Sequence, residues 1–184
     1  MRVGSDPDFV RTLKKAAAAL RDAEVPHALA GGLAAWARGG PKTEHDVDFM
    51  VKAKDAERAL QALAKAGLRT ERPPEGWLYK AYDGDLLVDL IFNPASGLVT
   101  DEMIERAEQL EVLAMPMPIA RLEDVLVTKL MALTEQEPDF GGVLEMARSL
   151  REQIDWGYVR TRTADSPFAR AFFELVDGLE IATA

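Results

Sequence analysis

Residues 25–51 read VPHALAGGLAAWARGGPKTEHDVDFMV, and this stretch decides the architecture. Val25 to Ala30 forms a short apolar strand that runs into Gly31-Gly32. Leu33 to Arg38 has the character of a small helix closed by Gly39-Gly40-Pro41. His45 to Val51 alternates with a strand's period of two, so Val47, Phe49 and Val51 point to a core while Asp46, Asp48 and Met50 share the other face. The two carboxylates then stand about 7 Å apart at their Cα atoms. Backbone amides at a helix N-terminus attract phosphate, and glycine lets the ligand come close. Asp46 lies fourteen positions after Gly32, enough for one short helix and a turn between a phosphate cradle and an acidic pair on adjacent strands.

An Asp-x-Asp doublet suits hard divalent cations. Magnesium takes one or two carboxylates and fills its shell with water and substrate phosphates. Paired metals about 3.5–4 Å apart stabilise the attacking and leaving oxygens of an in-line displacement. By itself the doublet also suits a solvated strand face. Asp89 shifts the balance, because it interrupts the apolar run Leu86-Leu87-Val88-Asp89-Leu90-Ile91-Phe92, where an ionised carboxylate needs a partner or a metal. With Asp46 and Asp48 it predicts a three-carboxylate site.

Lys129 falls in the middle of an apolar helix face formed by Leu122, Val125, Leu126 and Leu133. Its ammonium there calls for an anion, either a triphosphate or a buried carboxylate. Lys42 and Thr43 stand in the loop before the doublet, within reach of phosphates or simply of solvent. Trp77 and Tyr79 suit stacking on a base as well as packing in a hairpin. His27 reads as structural, and His45 as a pocket residue.

The surrounding chain supplies a mixed sheet and then helices. Ser5 or Asp6 caps a helix with Pro7 in its first position, running to about Glu24. Asp55 is expected to cap a helix ending at Gly67, followed by strands at Leu68–Arg72, Trp77–Tyr82 and, after the Asp83-Gly84 hairpin signal, Asp85–Phe92. A helix over Asp101–Leu110, a short strand at Glu111–Met115 and an extended Pro116–Pro118 come next. Helices are predicted over Leu122–Thr134, Phe140–Gln153, Asp155–Thr161 and Phe168–Leu179. This pattern is an α+β fold, divided into a sheet core over 1–118 and a helical region over 119–184.

The 184 residues contain no cysteine, which excludes disulfides and thiolate metal sites. No apolar run reaches membrane-spanning length, and MRVGSDPDF lacks the layout of a signal peptide, so a cytoplasmic protein with no membrane partner is expected. A net charge of −9 argues against broad nucleic-acid binding. Between Met146 and Arg170, however, five arginines face three acidic residues, which allows a local basic surface or merely solvated helix faces.

Ala30-Gly31-Gly32-Leu33-Ala34-Ala35 with Thr43-Glu44-His45-Asp46-Val47-Asp48-Phe49 resembles the nucleotidyltransferase superfamily of DNA polymerase β-like fold, in which a glycine turn precedes Asp-x-Asp. It is most similar to the AbiEii and MenT-type branch, which includes toxins of toxin–antitoxin systems. Ile119 to Leu130 resembles that branch's lysine-bearing helix, and Asp139 matches an acidic position after it. Together these segments span roughly residues 25–150. The resemblance implies magnesium on Asp46, Asp48 and Asp89, with Asp89 as third ligand or base. It also implies a nucleoside triphosphate held by Gly31, Gly32, Lys42, Thr43, Lys129 and Asp139. The implied acceptor is the 3′ end of tRNA, with a cognate antitoxin as protein partner. The chain departs from the branch at Pro41-Lys42, where an arginine is common, and at Phe140-Gly141-Gly142-Val143, where a second aspartate is common. The acidic composition suits a cationic small-molecule acceptor such as an aminoglycoside, and a protein hydroxyl or an inactive nucleotide-binding module are the further alternatives.

Overall fold

Asp6 accepts a hydrogen bond from the Asp8 amide and Pro7 takes the first helical position, so α1 (Pro7–Asp22) begins where the sequence places it. The computed structural model describes residues 6–43 and 46–182; Ser5, the other expected cap, and His45 lie outside them. A three-residue strand, β1 (His27–Leu29), leads through Ala30 into α2 (Gly31–Ala37). Then come β2 (Val47–Val51), α3 (Ala53–Lys65), β3 (Arg69–Glu71), β4 (Leu78–Asp83) and β5 (Leu86–Ile91).

Asp55 does not cap α3. Lys52 holds the N-cap position, and the Asp55 carboxylate sits one turn in, where it pairs with Arg58 and lies 3.8 Å from Lys52.

The expected helix over 101–110 stops early. After α4 (Asp101–Glu105) the chain enters β6 (Glu108–Val112), which pairs antiparallel with β7 (Met115–Ile119). Leu113 and Ala114 make the turn, both in the left-handed region at φ 51° and 61°. No glycine or asparagine announces that turn, so its sequence carries no hairpin signal. Pro116 and Pro118 alternate with Met115, Met117 and Ile119 opposite β6. Lacking amide hydrogens they suit the positions of β7 that do not donate to β6, and β7 meets β1 only at Leu29–Ile119.

The seven strands form one mixed sheet in the order β3-β4-β5-β2-β1-β7-β6, with β2–β5 and β1–β7 parallel. Register puts Leu29, Phe49 and Leu90 side by side on one face, with Val47 and Val88 next to them. All five are fully buried. α1 and α3 belong to this face, since Thr12 and Lys15 of α1 bind Asp83, which shares it with Leu86. The opposite face carries Ala28, Met50 and Ile91 in one row and Asp48 and Asp89 in the next.

Four helices follow the last strand: α5 (Leu122–Ala132), α6 (Gly141–Leu150), α7 (Trp156–Arg162) and α8 (Pro167–Gly178), with a 3₁₀ turn at Arg151–Gln153. α5 is buried around most of its circumference, Glu123 and Asp124 included. Asp124 is satisfied by a compact network: Arg106 donates to it at 2.5 and 3.2 Å and Tyr158 at 3.3 Å, while Arg106 also reaches the Tyr158 hydroxyl. Among the described residues no helix is long and apolar enough to cross a membrane.

Arg106→Leu leaves a buried carboxylate without its cation and is expected to lower unfolding free energy by about 3 kcal/mol in urea denaturation. Pairing it with Asp124→Leu should recover most of that loss, because the unpaired charge rather than the missing contact sets the cost.

Candidate active site

The site grows from the open face of the sheet. Parallel pairing sets Asp48 of β2 opposite Asp89 of β5, and antiparallel pairing sets Asp89 opposite Lys80 of β4. Three charged side chains therefore lie in one row across three strands. Lys80 Nζ is 3.5 Å from Asp89 Oδ1, so the carboxylate that interrupts the apolar run is met by a neighbouring cation.

At the other end of the row, β1 finishes when the Ala30 amide donates to the Asp48 carbonyl at 2.8 Å. Gly31 follows with φ +57°, and a side chain there would overlap the Asp48 carboxylate. A side chain at Gly32 would overlap the Thr43 hydroxyl. The glycine pair thus admits two polar side chains against the start of α2, in addition to turning the chain.

Lys129 completes the arrangement from α5, half-buried and facing the row. Burial pushes the Asp48 carboxyl up to about 6, with Asp89 adding to the rise and Lys129 opposing it. Asp89 is also raised by burial, against the pull of Lys80.

Three recesses open around this row. A polar cavity of about 410 Å³ is walled by Gly32, Lys42, Thr43, Asp46, Asp48 and Lys129, with Glu145 of α6 on the far side. A more apolar cavity of about 560 Å³ begins at the same Asp48 and Lys129, passes Met50 and Ile91, and ends at Glu75, Trp77 and Asn93. A smaller recess of about 350 Å³ shares Glu75 and Trp77 and runs past Lys80 and Asp89. Asp48 and Lys129 are the wall common to the first two.

Of the residues expected from sequence, Gly32, Lys42, Thr43, Asp46, Asp48 and Lys129 meet in one cavity, and Gly31 faces the second. Asp89 is one strand further along. Asp139 stands apart: its carboxylate accepts the Gly141 amide at 2.8 Å at the head of α6, and it lines none of the three recesses. His27 is buried edge-on to Phe49 with Nδ1 2.7 Å from the Val25 carbonyl, in keeping with a structural role. Tyr79 packs edge-on to Phe92, whereas the indole of Trp77 is 39% exposed. Lys80, Glu75 and Glu145 are the site residues that sequence reading missed.

Among the described residues no three His, Asp or Glu side chains are grouped so as to hold a metal ion. Asp46 and Asp48 border the polar cavity together, with Glu145 on its far side, and two carboxylates plus substrate phosphates suffice for magnesium.

A mixed sheet with a glycine turn packed on an Asp-x-Asp strand is the arrangement that the nucleotidyltransferase resemblance implies. The antibiotic-resistance factor ANT(2″)-Ia in solution shares the fold, with a TM-score of 0.64 at 19% identity over 93% of this chain and 96% of its own. Its crystal structure with adenylyl-2″-tobramycin matches equally well, at 17% identity over 89% and 98%. A Thermotoga maritima protein provisionally assigned as a nucleotidyltransferase follows, with a TM-score of 0.55 and 18% identity over 79% and 92%. No curated protein matches the chain in sequence. The chain belongs to the family described as nucleotidyl transferase of unknown function (DUF2204), whose pattern covers residues 9–168.

Because the folded-state pKa of Asp48 lies above its unfolded value, the folded protein holds the extra proton between about pH 4 and 6 and stability falls as pH rises through that window. Asp48→Asn removes the penalty. In chelator it should raise unfolding free energy by up to about 3 kcal/mol at pH 7.5 and by little at pH 4, measured by urea denaturation at both.

Proposed function

We propose that this enzyme transfers a nucleoside monophosphate from a magnesium-bound nucleoside triphosphate to a hydroxyl group of a small molecule. The observation that carries the reading is the shared wall of Asp48 and Lys129 between a polar cavity and an apolar one. The polar cavity suits the triphosphate, with the Gly32 and Thr43 turn, Lys42 and Lys129 toward its oxygens. Asp46 and Asp48 would hold magnesium, which supplies charge neutralisation on the phosphate oxygens. The apolar cavity suits the body of an acceptor whose hydroxyl meets the α-phosphorus at the Asp48 end.

In the transfer the hydroxyl oxygen forms a bond to the α-phosphorus as the bond from that phosphorus to the β-phosphate bridging oxygen breaks. Pyrophosphate leaves through the polar cavity. The hydroxyl proton passes to Asp89, which Lys80 holds beside the reacting row. Catalysis rests on positioning and electrostatic stabilisation, as in phosphoryl transfer generally. In this reading residues 1–118 form the core, 119–184 complete it through Lys129, and the enzyme works in the cytoplasm, where triphosphates are plentiful.

A second reading takes the tRNA 3′ end as acceptor, with a toxin role and a cognate antitoxin. The exposed indole of Trp77 favours it as a platform for a terminal base.

Each of the four α-labelled triphosphates, with magnesium, is offered to the enzyme together with either a small-metabolite extract or total tRNA. The expected label appears in the small-molecule fraction and falls by about 10²-fold or more in Asp46→Asn and in Lys129→Met. Label at the tRNA 3′ end selects the second reading; no labelled product from any triphosphate sinks both.

A further inference from the structure

Most charges on this protein are tied to partners. Lys52 pairs with Asp101, Arg72 with Glu57, Lys15 with Asp83, Arg106 with Asp124, and Arg160 with Asp177. Around the acceptor cavity the same holds for Asp89, which has Lys80, and Glu71, which takes the Tyr82 hydroxyl at 3.3 Å. Glu75 is different. Among the described residues its carboxylate makes no hydrogen bond or ion pair, and it lines both the 560 Å³ cavity and the adjoining recess.

Beside it stands Trp77, on a backbone that cannot move freely. The Trp77 carbonyl accepts the amides of both Phe92 and Asn93, at 3.1 and 3.0 Å, which pins the start of β4 to the end of β5. Its indole is nonetheless 39% exposed and faces the same two recesses as Glu75. An exposed aromatic face and a free carboxylate at one junction attract one kind of group. An indole is the best of the aromatic rings for a cation, and a neighbouring negative charge adds to the attraction.

Resting on the reading of this cavity as the acceptor site, we propose that Trp77 and Glu75 form a subsite for a protonated amine. The acceptor is then an amphipathic amino alcohol: a hydroxyl at the Asp48 end, an apolar body against Met50, Ile91 and Val125, and an ammonium at the far end. The net charge of −9 draws such a ligand in and repels polyanions, and among the described residues no free cation lines the far end to receive a phosphate.

The test is equilibrium binding to the full chain by calorimetry, using 4-(2-aminoethyl)benzyl alcohol and its neutral counterpart 4-(2-hydroxyethyl)benzyl alcohol as probes, which carry the ring between the benzylic hydroxyl and the other polar end and differ only in an ammonium replacing a hydroxyl. The amine is expected to bind about tenfold more tightly. Glu75→Gln should remove most of that preference while leaving the diol unaffected, and Trp77→Leu should weaken the amine by about tenfold. Both residues are exposed, so neither change threatens folding. Equal binding of the two probes, no binding of either, or a preference untouched by Glu75→Gln overturns the subsite. Magnesium–triphosphate binding, titrated in the same preparations, separates the two failures: if nucleotide binds and depends on Asp46 while the amine preference is absent, only the subsite is wrong. If no triphosphate binds, the transferase reading of the cavity falls as well.

Discussion

The Asp48 carboxylate occupies the space that a side chain at position 31 would need, and much of the active end of the molecule follows from that contact. It requires glycine at the end of β1, and the left-handed φ of Gly31 turns the chain directly into α2. It also fixes which face of β2 is polar: with Asp48 against the turn, Val47, Phe49 and Val51 have only the core to enter, and all three are fully buried. Parallel pairing with β5 then places a second carboxylate beside the first, whatever the side chains prefer. Two neighbouring carboxylates, one of them against backbone, cannot both be comfortable as anions. Burial is the main cause of the elevated pKa of Asp48 and that crowding adds to it, while Lys129 and Lys80, one on either side of the row, moderate it.

The glycine turn, the Asp-x-Asp strand and the lysine helix were legible in sequence because each is a local pattern whose chemistry depends on spacing along one chain segment. Gly32, Thr43, Asp46, Asp48 and Lys129 accordingly meet where those patterns imply. What escaped was set by pairing between segments. Lys80 faces Asp89 because the β4–β5 hairpin closes with Asp83 opposite Leu86 around Gly84 and Asp85. Centring the turn one residue earlier, on Asp83-Gly84, places Leu87 across from Lys80 instead and hides the ion pair, since a one-residue change of register moves every partner. The β6–β7 hairpin was lost for a different reason. Its turn uses Leu113 and Ala114 in left-handed conformations that glycine or asparagine would ordinarily take, and Met-Pro-Met-Pro has little strand propensity until β6 pairs with it. Buried Glu123 and Asp124 were unreadable as core residues, because only the fold reveals Arg106, Arg121 and Tyr158 around them.

The helix that carries Lys129 ties the candidate site to the packing of the core. α5 is buried on nearly all sides, Glu123 and Asp124 included, so polar contacts join apolar packing in holding it. The Arg106–Asp124–Tyr158 network supplies the directional part, since charged hydrogen bonds tolerate little displacement. Lys129 lies five residues beyond Asp124, about 7.5 Å along the helix, so the network that fixes one fixes the reach of the other. A buried ion cluster of this kind adds little net stability compared with well-packed apolar groups. Its value is positional: it fixes where the Lys129 ammonium stands, at the wall between the two cavities and beside the carboxylate row.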